Sequence, residues 1–222
     1  MQTRLSPRRV CCYNRYMSYQ LAVQFYRRNR LQVLCALYVV ILAFGVITSI
    51  VLSDDSHWTS WSLSRLGETS TNRQSALAFN TGVFASGLIL TAIGICMTRS
   101  YAKLQQSRTA KLSAWLMITL SVCMVGVALC PNDTMHAAHF VFSRGIIVAM
   151  VLMMLTLPSS LNYLTQRERL LSFGFPIFAA ILAAQGYILR SFWFVIIEAI
   201  LGLLAAIWLF IVCRHIDKRL RQ

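Results

Sequence analysis

The sequence predicts an all-α, polytopic integral membrane protein: a bundle of six transmembrane helices with both termini cytoplasmic. Three observations carry this expectation. Of 222 residues, 57% are hydrophobic and 13% charged, whereas an ordinary soluble domain is about half apolar and a quarter charged. The apolar residues gather into six runs, at 31–52, 76–98, 112–130, 139–162, 173–190 and 192–213, each long enough to cross or nearly cross a bilayer. The basic residues lie between these runs. The net charge of +14 therefore does not form the soluble basic face that a nucleic-acid binder needs, and no nucleic-acid partner is expected.

Residues 1–30 form a basic cytoplasmic segment with Arg4, Arg8, Arg9, Arg15, Arg27, Arg28 and Arg30 and no acid. No A-x-A-like cleavage site follows the first run, so the segment reads as a charge anchor. An Arg-rich, acid-free start also fits an organellar transit peptide, and Met17 is an alternative start. Residues 31–213 form the transmembrane domain, with one long outer loop at 53–75, and 214–222 a basic cytoplasmic tail. The second run carries Ala78, Gly82 and Ser86 at a spacing of four. Ala180 with Ala184, and Gly202 with Ala206, repeat that spacing in the fifth and sixth; small residues so placed let helices approach closely. Pro158 lies near the far end of the fourth run, and Pro176 and Gln185 interrupt the short fifth. Trp58, Trp61 and Trp193 fall at the outer interface, where aromatic belts form.

Orientation follows from charge. Seventeen of the 21 Lys and Arg lie in the N-terminus, the 99–111 loop, the 164–172 loop and the tail, which places those segments in the cytosol. They also attract anionic headgroups. The seven cysteines are Cys11, Cys12, Cys35, Cys96, Cys123, Cys130 and Cys213. None has CxxC or zinc-finger spacing, so no structural disulfide is expected.

With that topology, polar residues concentrate in the outer third of the membrane. Counting 1.5 Å per residue, Asn80, Arg144, Gln185 and Glu198 reach similar depth and form the candidate ligand-binding set. A charge at a helix centre costs about 2.5–3.5 kcal/mol on insertion scales, so it faces the bundle interior or water. Arg144 and Glu198 at matched depth predict either an ion pair joining the fourth and sixth helices or, for Arg144, an anion site for a phosphate or carboxylate. Asp133, His136 and His139 are spaced by three, and His57 or Asp54 in the outer loop completes a candidate metal site with zinc as the candidate ion. The proposed ligands are His57, Asp133, His136 and His139, although signatures such as HExxH are absent. The alternative has the histidines hydrogen-bonding the first loop and Asp133 capping the fourth helix. In helical geometry His136, Phe140 and Arg144 share one face with Asp133. Ser56, Ser60, Ser62 and Ser64 in the outer loop offer hydroxyls for nucleophilic chemistry, without a G-x-S-x-G elbow.

Two stretches carry a family resemblance. WSLSRLGETSTNRQSALAFNTG supplies Ser62, Ser64, Leu66, Gly67, Phe79 and Asn80; CPNDTMHAAHFVF supplies Pro131, Asp133, His136 and His139. They resemble the serine-containing segment with its LG turn, the FN pair and the proline-aspartate-histidine start of the fourth helix in a bacterial six-helix membrane family. That family is catalogued as domain of unknown function 998. It is similar in turn to the damage-regulated autophagy modulator proteins, several of which are connected with lipid handling. The resemblance implies a six-helix bundle in the bacterial cytoplasmic membrane, with its polar site on the non-cytoplasmic side, and carries no established reaction. The Arg-rich N-terminus exceeds the pattern.

Three functions fit these residues. The first is recognition of a lipid or amphiphile headgroup, with membrane lipids as partners and the chain acting alone, as a homo-oligomer or in a larger complex. The second is metal-assisted hydrolysis of a lipid or lipid-linked substrate through a bound water. The third is transport of a small solute or protons through Glu198 and Asp133, set back by an inner half almost free of ionisable groups.

Overall fold

A computed structural model describes residues 20, 23–26, 28–54, 62–103, 108–160, 165–189 and 194–221. Six long α-helices and one short 3-10 helix account for the described elements, and no strand occurs among them. The helices are α1 (Arg30–Leu52), α2 (Arg73–Lys103), α3 (Arg108–Leu129), α4 (His136–Ser160), α5 (Gln166–Leu189) and α6 (Phe194–Arg219). The 3-10 helix Leu63–Gly67 lies between α1 and α2. Each apolar run of the sequence falls mainly within one helix, but several helices outrun their apolar stretch. α2 begins three residues earlier and ends five later than the run at 76–98. Backbone hydrogen bonding does not stop where hydropathy does; an apolar run marks where lipid ends, not where the helix ends.

Arg30–Leu52, Arg73–Lys103, His136–Thr156 and Val195–Arg219 are long and apolar enough to cross a membrane, and Ala114–Leu129 is a shorter apolar helix. Successive helices pack side by side, and α6 returns against α1 to close the ring. The first four helices hold the densest core, with Leu31, Cys35, Leu90, Ile93, Met97, Met117 and Met154 buried alongside Trp208 and Ile216 of α6. α5 joins at the edge, through a small cluster of Ala179 and Leu182 with Ile197 and Leu201. Outward-facing Val40, Phe44, Ile47, Val51, Val141 and Val148 are exposed. In water such a surface is a liability; in a bilayer it faces acyl chains.

Lipid supplies no hydrophobic drive between helices, so close packing must hold them together. Gly45 and Gly82 meet backbone to backbone: a Cβ on Gly45 would lie 2.7 Å from the Gly82 Cα. Ser86, one turn further, is fully buried. The small stripe on α2 is therefore a helix–helix contact. The corresponding expectation for α5 and α6 fails. Ala180 and Ala184 are exposed, and Gly202 has no atom within 4 Å of its would-be Cβ. Four-residue spacing of small residues permits close approach but does not require a partner.

The first and last described helix ends share one end of the bundle. Asp217 of α6 accepts from the Leu31 and Gln32 N–H groups at 3.4 and 3.0 Å, satisfying orphan donors of α1. Arg221 donates to the Arg28 carbonyl and to Asn29, and His215 meets Glu168 of α5 at 2.9 Å. This basic end carries Arg30, Arg99, Lys103, Arg167, Arg169 and Arg214. The opposite end holds the loop at 62–72 and the polar residues considered next. The five described cysteines are free thiols; Cys11 and Cys12, Trp58, Trp61 and Trp193 lie outside the described residues.

Candidate functional site

At the end opposite the basic one, the 62–72 segment is fastened across the bundle by polar contacts. Asn72 caps α2, its Oδ1 accepting from the Gln74 and Ser75 N–H groups at 3.1 Å. Its amide also reaches the Leu52 carbonyl at 2.9 Å and Asp54 at 3.1 Å. The buried Ser75 hydroxyl donates to the Ser49 carbonyl and lies 2.8 Å from the Ser49 hydroxyl. Asn80 donates to the Gly67 carbonyl at 3.0 Å, and a Cβ on Gly67 would strike its Oδ1 at 2.6 Å. The Leu-Gly turn thus needs glycine because the loop presses directly on α2. Asn80 is a residue that positions the loop.

From the other side, the α3–α4 connection grips the same segment. Asp133 accepts from the Ser70 N–H at 2.8 Å and the Thr69 hydroxyl at 3.0 Å. Burial opposes the charge on Asp133, but these hydrogen bonds outweigh it and hold the carboxyl below its ordinary range. Asp133 does not cap α4 as expected: the helix starts at His136, and the carboxylate is committed to the loop. Asn132 donates to Glu68 at 2.9 Å. A carboxylate only accepts, so Asn132 Oδ1 is left to accept from His136 Nδ1 at 2.8 Å. His139 Nδ1 meets the Cys130 carbonyl at 2.8 Å; that oxygen also only accepts, so Nδ1 carries the proton and a neutral ring leaves its Nε2 lone pair open.

Under this cover lies a cavity of about 370 Å³. Phe79, Val83, Met124, Val127, Ile146, Ile147 and Met150 form its apolar wall, and Ser62, Ser64, Asn132, His139, Ser143 and Glu198 its polar part. Glu198 spans cavity and cover: its Oε2 accepts from the Leu63 N–H at 2.7 Å, at the start of the 3-10 helix. The Ser62 and Ser64 hydroxyls lie 2.8 Å apart.

The sequence-derived sets are thereby sorted. Glu198 and His139 share the cavity. Arg144 does not line it; its guanidinium carbon stands 3.6 Å above the Phe140 ring, on an exposed face. The expected Arg144–Glu198 pair is not formed, since Glu198 takes the Leu63 amide. Matched depth did not mean matched direction: Arg144 lies about 140° round α4 from His139 at 100° per residue. The expected face of His136, Phe140 and Arg144 does form, with the two rings 6.4 Å apart. Gln185 is exposed on α5 and outside the cavity lining. Asp133, His136 and His139 each hold a different local partner, and among the described residues no three His, Cys, Asp or Glu side chains gather to hold a metal. His57, Asp55, Ser56 and Ser60 lie outside the described residues. Asn132, Ser143 and Gly202 line the cavity without having been expected. Gly202 stands four residues after Glu198 on one face of α6, and that spacing is the signal that could have found it.

The whole arrangement is that of a helical membrane protein with a polar-capped cavity at one end of its bundle. The chain belongs to the family described as protein of unknown function DUF998, whose profile matches residues 36–215. No curated protein and no solved structure matches it.

Proposed function

We propose that this protein crosses the bacterial cytoplasmic membrane six times, with both termini in the cytosol, and binds an amphiphile in the cavity beneath the 62–72 cover. The observation that carries the reading is the composition of that cavity: apolar walls below, and hydroxyls, an imidazole and the Glu198 carboxyl above. A few convergent polar groups over an apolar pocket suit a ligand with an apolar body and a polar head. The polar groups favour a head that donates hydrogen bonds, an alcohol or an amine, because the lining holds a carboxyl and an imidazole and includes, among the described residues, no Lys or Arg. An anion-receptor role for Arg144 draws no support from its place over the Phe140 ring. The charge asymmetry between the two ends supports the orientation.

The test is a lipid bearing a photoactivatable acyl chain, crosslinked to the full-length protein in membranes. Crosslinks on the cavity face of α4, at Ile146, Ile147 and Met150, are expected, and Gly202→Leu should abolish them by filling the space. Crosslinks confined to the outward face of α4 would sink the reading.

Hydrolysis of an ester-bearing amphiphile is a second reading, favoured by Ser62, Ser64 and His139 lining one cavity with the His139 Nε2 lone pair available. The metal-assisted form has less support, because Asp133, His136 and His139 are each committed elsewhere. Transport draws none from Leu90, Ile93, Met97 and Met154, which fill the bundle axis with apolar side chains.

A further inference from the structure

We propose a second ligand site at the opposite, basic end: a pocket between the ends of α1, α2 and α6 that binds the phosphate headgroup of an anionic phospholipid. The pocket has a volume of about 490 Å³. Arg30 of α1 and Arg99 and Lys103 of α2 line it, over a floor of Leu31, Cys96, Ser100 and Ala102. None of the three cations is engaged by a hydrogen bond or ion pair among the described residues.

The one acid in the lining, Asp217, is already committed. Its two oxygens accept from the Leu31 and Gln32 N–H groups and from the Gln32 side chain, and it is 3% exposed. Asp217 therefore neutralises the start of α1 while the three cations remain for a ligand. Two guanidinium groups and an ammonium around a pocket match phosphate, which takes the forked N–H donors of arginine and the point charge of lysine. The pocket lies at the ends of α1 and α2, where the apolar stretches of both give way to charge. That is headgroup level, and basic pockets between helix ends are suited to anionic headgroups there. Position favours a lipid over a soluble anion: the exposed Leu220 borders the cations and offers apolar contact to the glycerol and first acyl carbons.

The test uses the full-length protein in neutral detergent, titrated with phosphatidylglycerol and read by native mass spectrometry. Arg30→Gln, Arg99→Gln and Lys103→Gln together should weaken lipid retention by about tenfold or more. Arg167→Gln, Arg169→Gln and Arg214→Gln remove as many cations from the same end outside the pocket, and should weaken it less than about threefold. Equal losses would overturn the site in favour of diffuse charge attraction. Inorganic phosphate is titrated in parallel; displacement of the lipid by phosphate alone at similar concentration would overturn the lipid assignment. Ala102→Trp fills the pocket and keeps every charge, so it decides the matter if the triple variant misfolds. Undiminished lipid retention in that variant would refute the pocket.

Discussion

Replacing Glu198 by alanine removes the acceptor of the Leu63 N–H, a 2.7 Å hydrogen bond that ties α6 to the start of the 3-10 helix. Leaving a buried donor without a partner costs about 1–3 kcal/mol. Two features of the site place the loss at the lower end. Leu63 is only half-buried, and polar contacts within membrane proteins average about 0.6 kcal/mol because the unfolded chain in lipid also finds partners. Truncation adds little cavity cost, since Glu198 already borders open space. The expected loss is about 1 kcal/mol, a factor of about five in the local opening equilibrium. Glu198→Gln keeps a side-chain oxygen as acceptor and should lose well under half of that. Hydrogen exchange of the 62–67 peptide in detergent micelles reads this directly, with faster exchange in the alanine variant and near-native exchange in the glutamine variant. Arg144→Ala should leave that peptide unchanged, and its effect on unfolding should add to that of Glu198→Gln. Unchanged protection in Glu198→Ala would refute the clamp, and a coupling beyond about 0.5 kcal/mol between positions 144 and 198 would restore the ion pair.

Gly82→Leu should drive α1 from α2, because a Cβ at this position already meets the Gly45 Cα at 2.7 Å; a loss of about 1–3 kcal/mol in detergent unfolding is expected, and native stability would contradict the contact. The depressed Asp133 carboxyl contributes stability that is present above its unfolded pKa and lost as pH falls through its lower folded value. Wild-type thermal stability should therefore decline between about pH 5 and pH 3 more than that of Asp133→Asn; parallel declines would remove Asp133 as a cause. If the serines act as nucleophiles, a fluorophosphonate probe should label Ser62 or Ser64 and fail in His139→Ala. Absence of label on the wild type would leave the cavity a binding site without chemistry.

The helices were legible because hydropathy alone marks a span: every run from 31–52 to 192–213 overlaps a helix. Their ends were not, because Arg73, Gln74 and Ser75 are polar yet helical under the Asn72 cap. The site was legible in depth and not in direction. Glu198 was singled out for a charge within an apolar run; its partner is a backbone amide in a loop, which no side-chain pattern announces. The direction of Arg144 was not legible, because lipid-facing and interior residues are both apolar, leaving no amphipathic stripe on α4 from which to read its face. Asp133 lies in the α3–α4 connection and His136 at the start of α4, and their partners, Ser70, Thr69 and Asn132, reveal a fastening for the loop. Gln185 looked like a site residue for its polarity within a run and is simply exposed.

The most direct test of amphiphile binding in the cavity beneath the 62–72 segment is native mass spectrometry of the protein released from mild detergent, wild type beside Gly202→Leu. Gly202 borders the cavity with no atom within 4 Å of its would-be Cβ, so leucine enters empty space and the fold should survive. Amphiphile binding there predicts one amphiphile-sized mass more on the wild type, beyond any lipid held at the basic end, than on the variant. A wild type without such a mass, or one equally retained by Gly202→Leu, would contradict it.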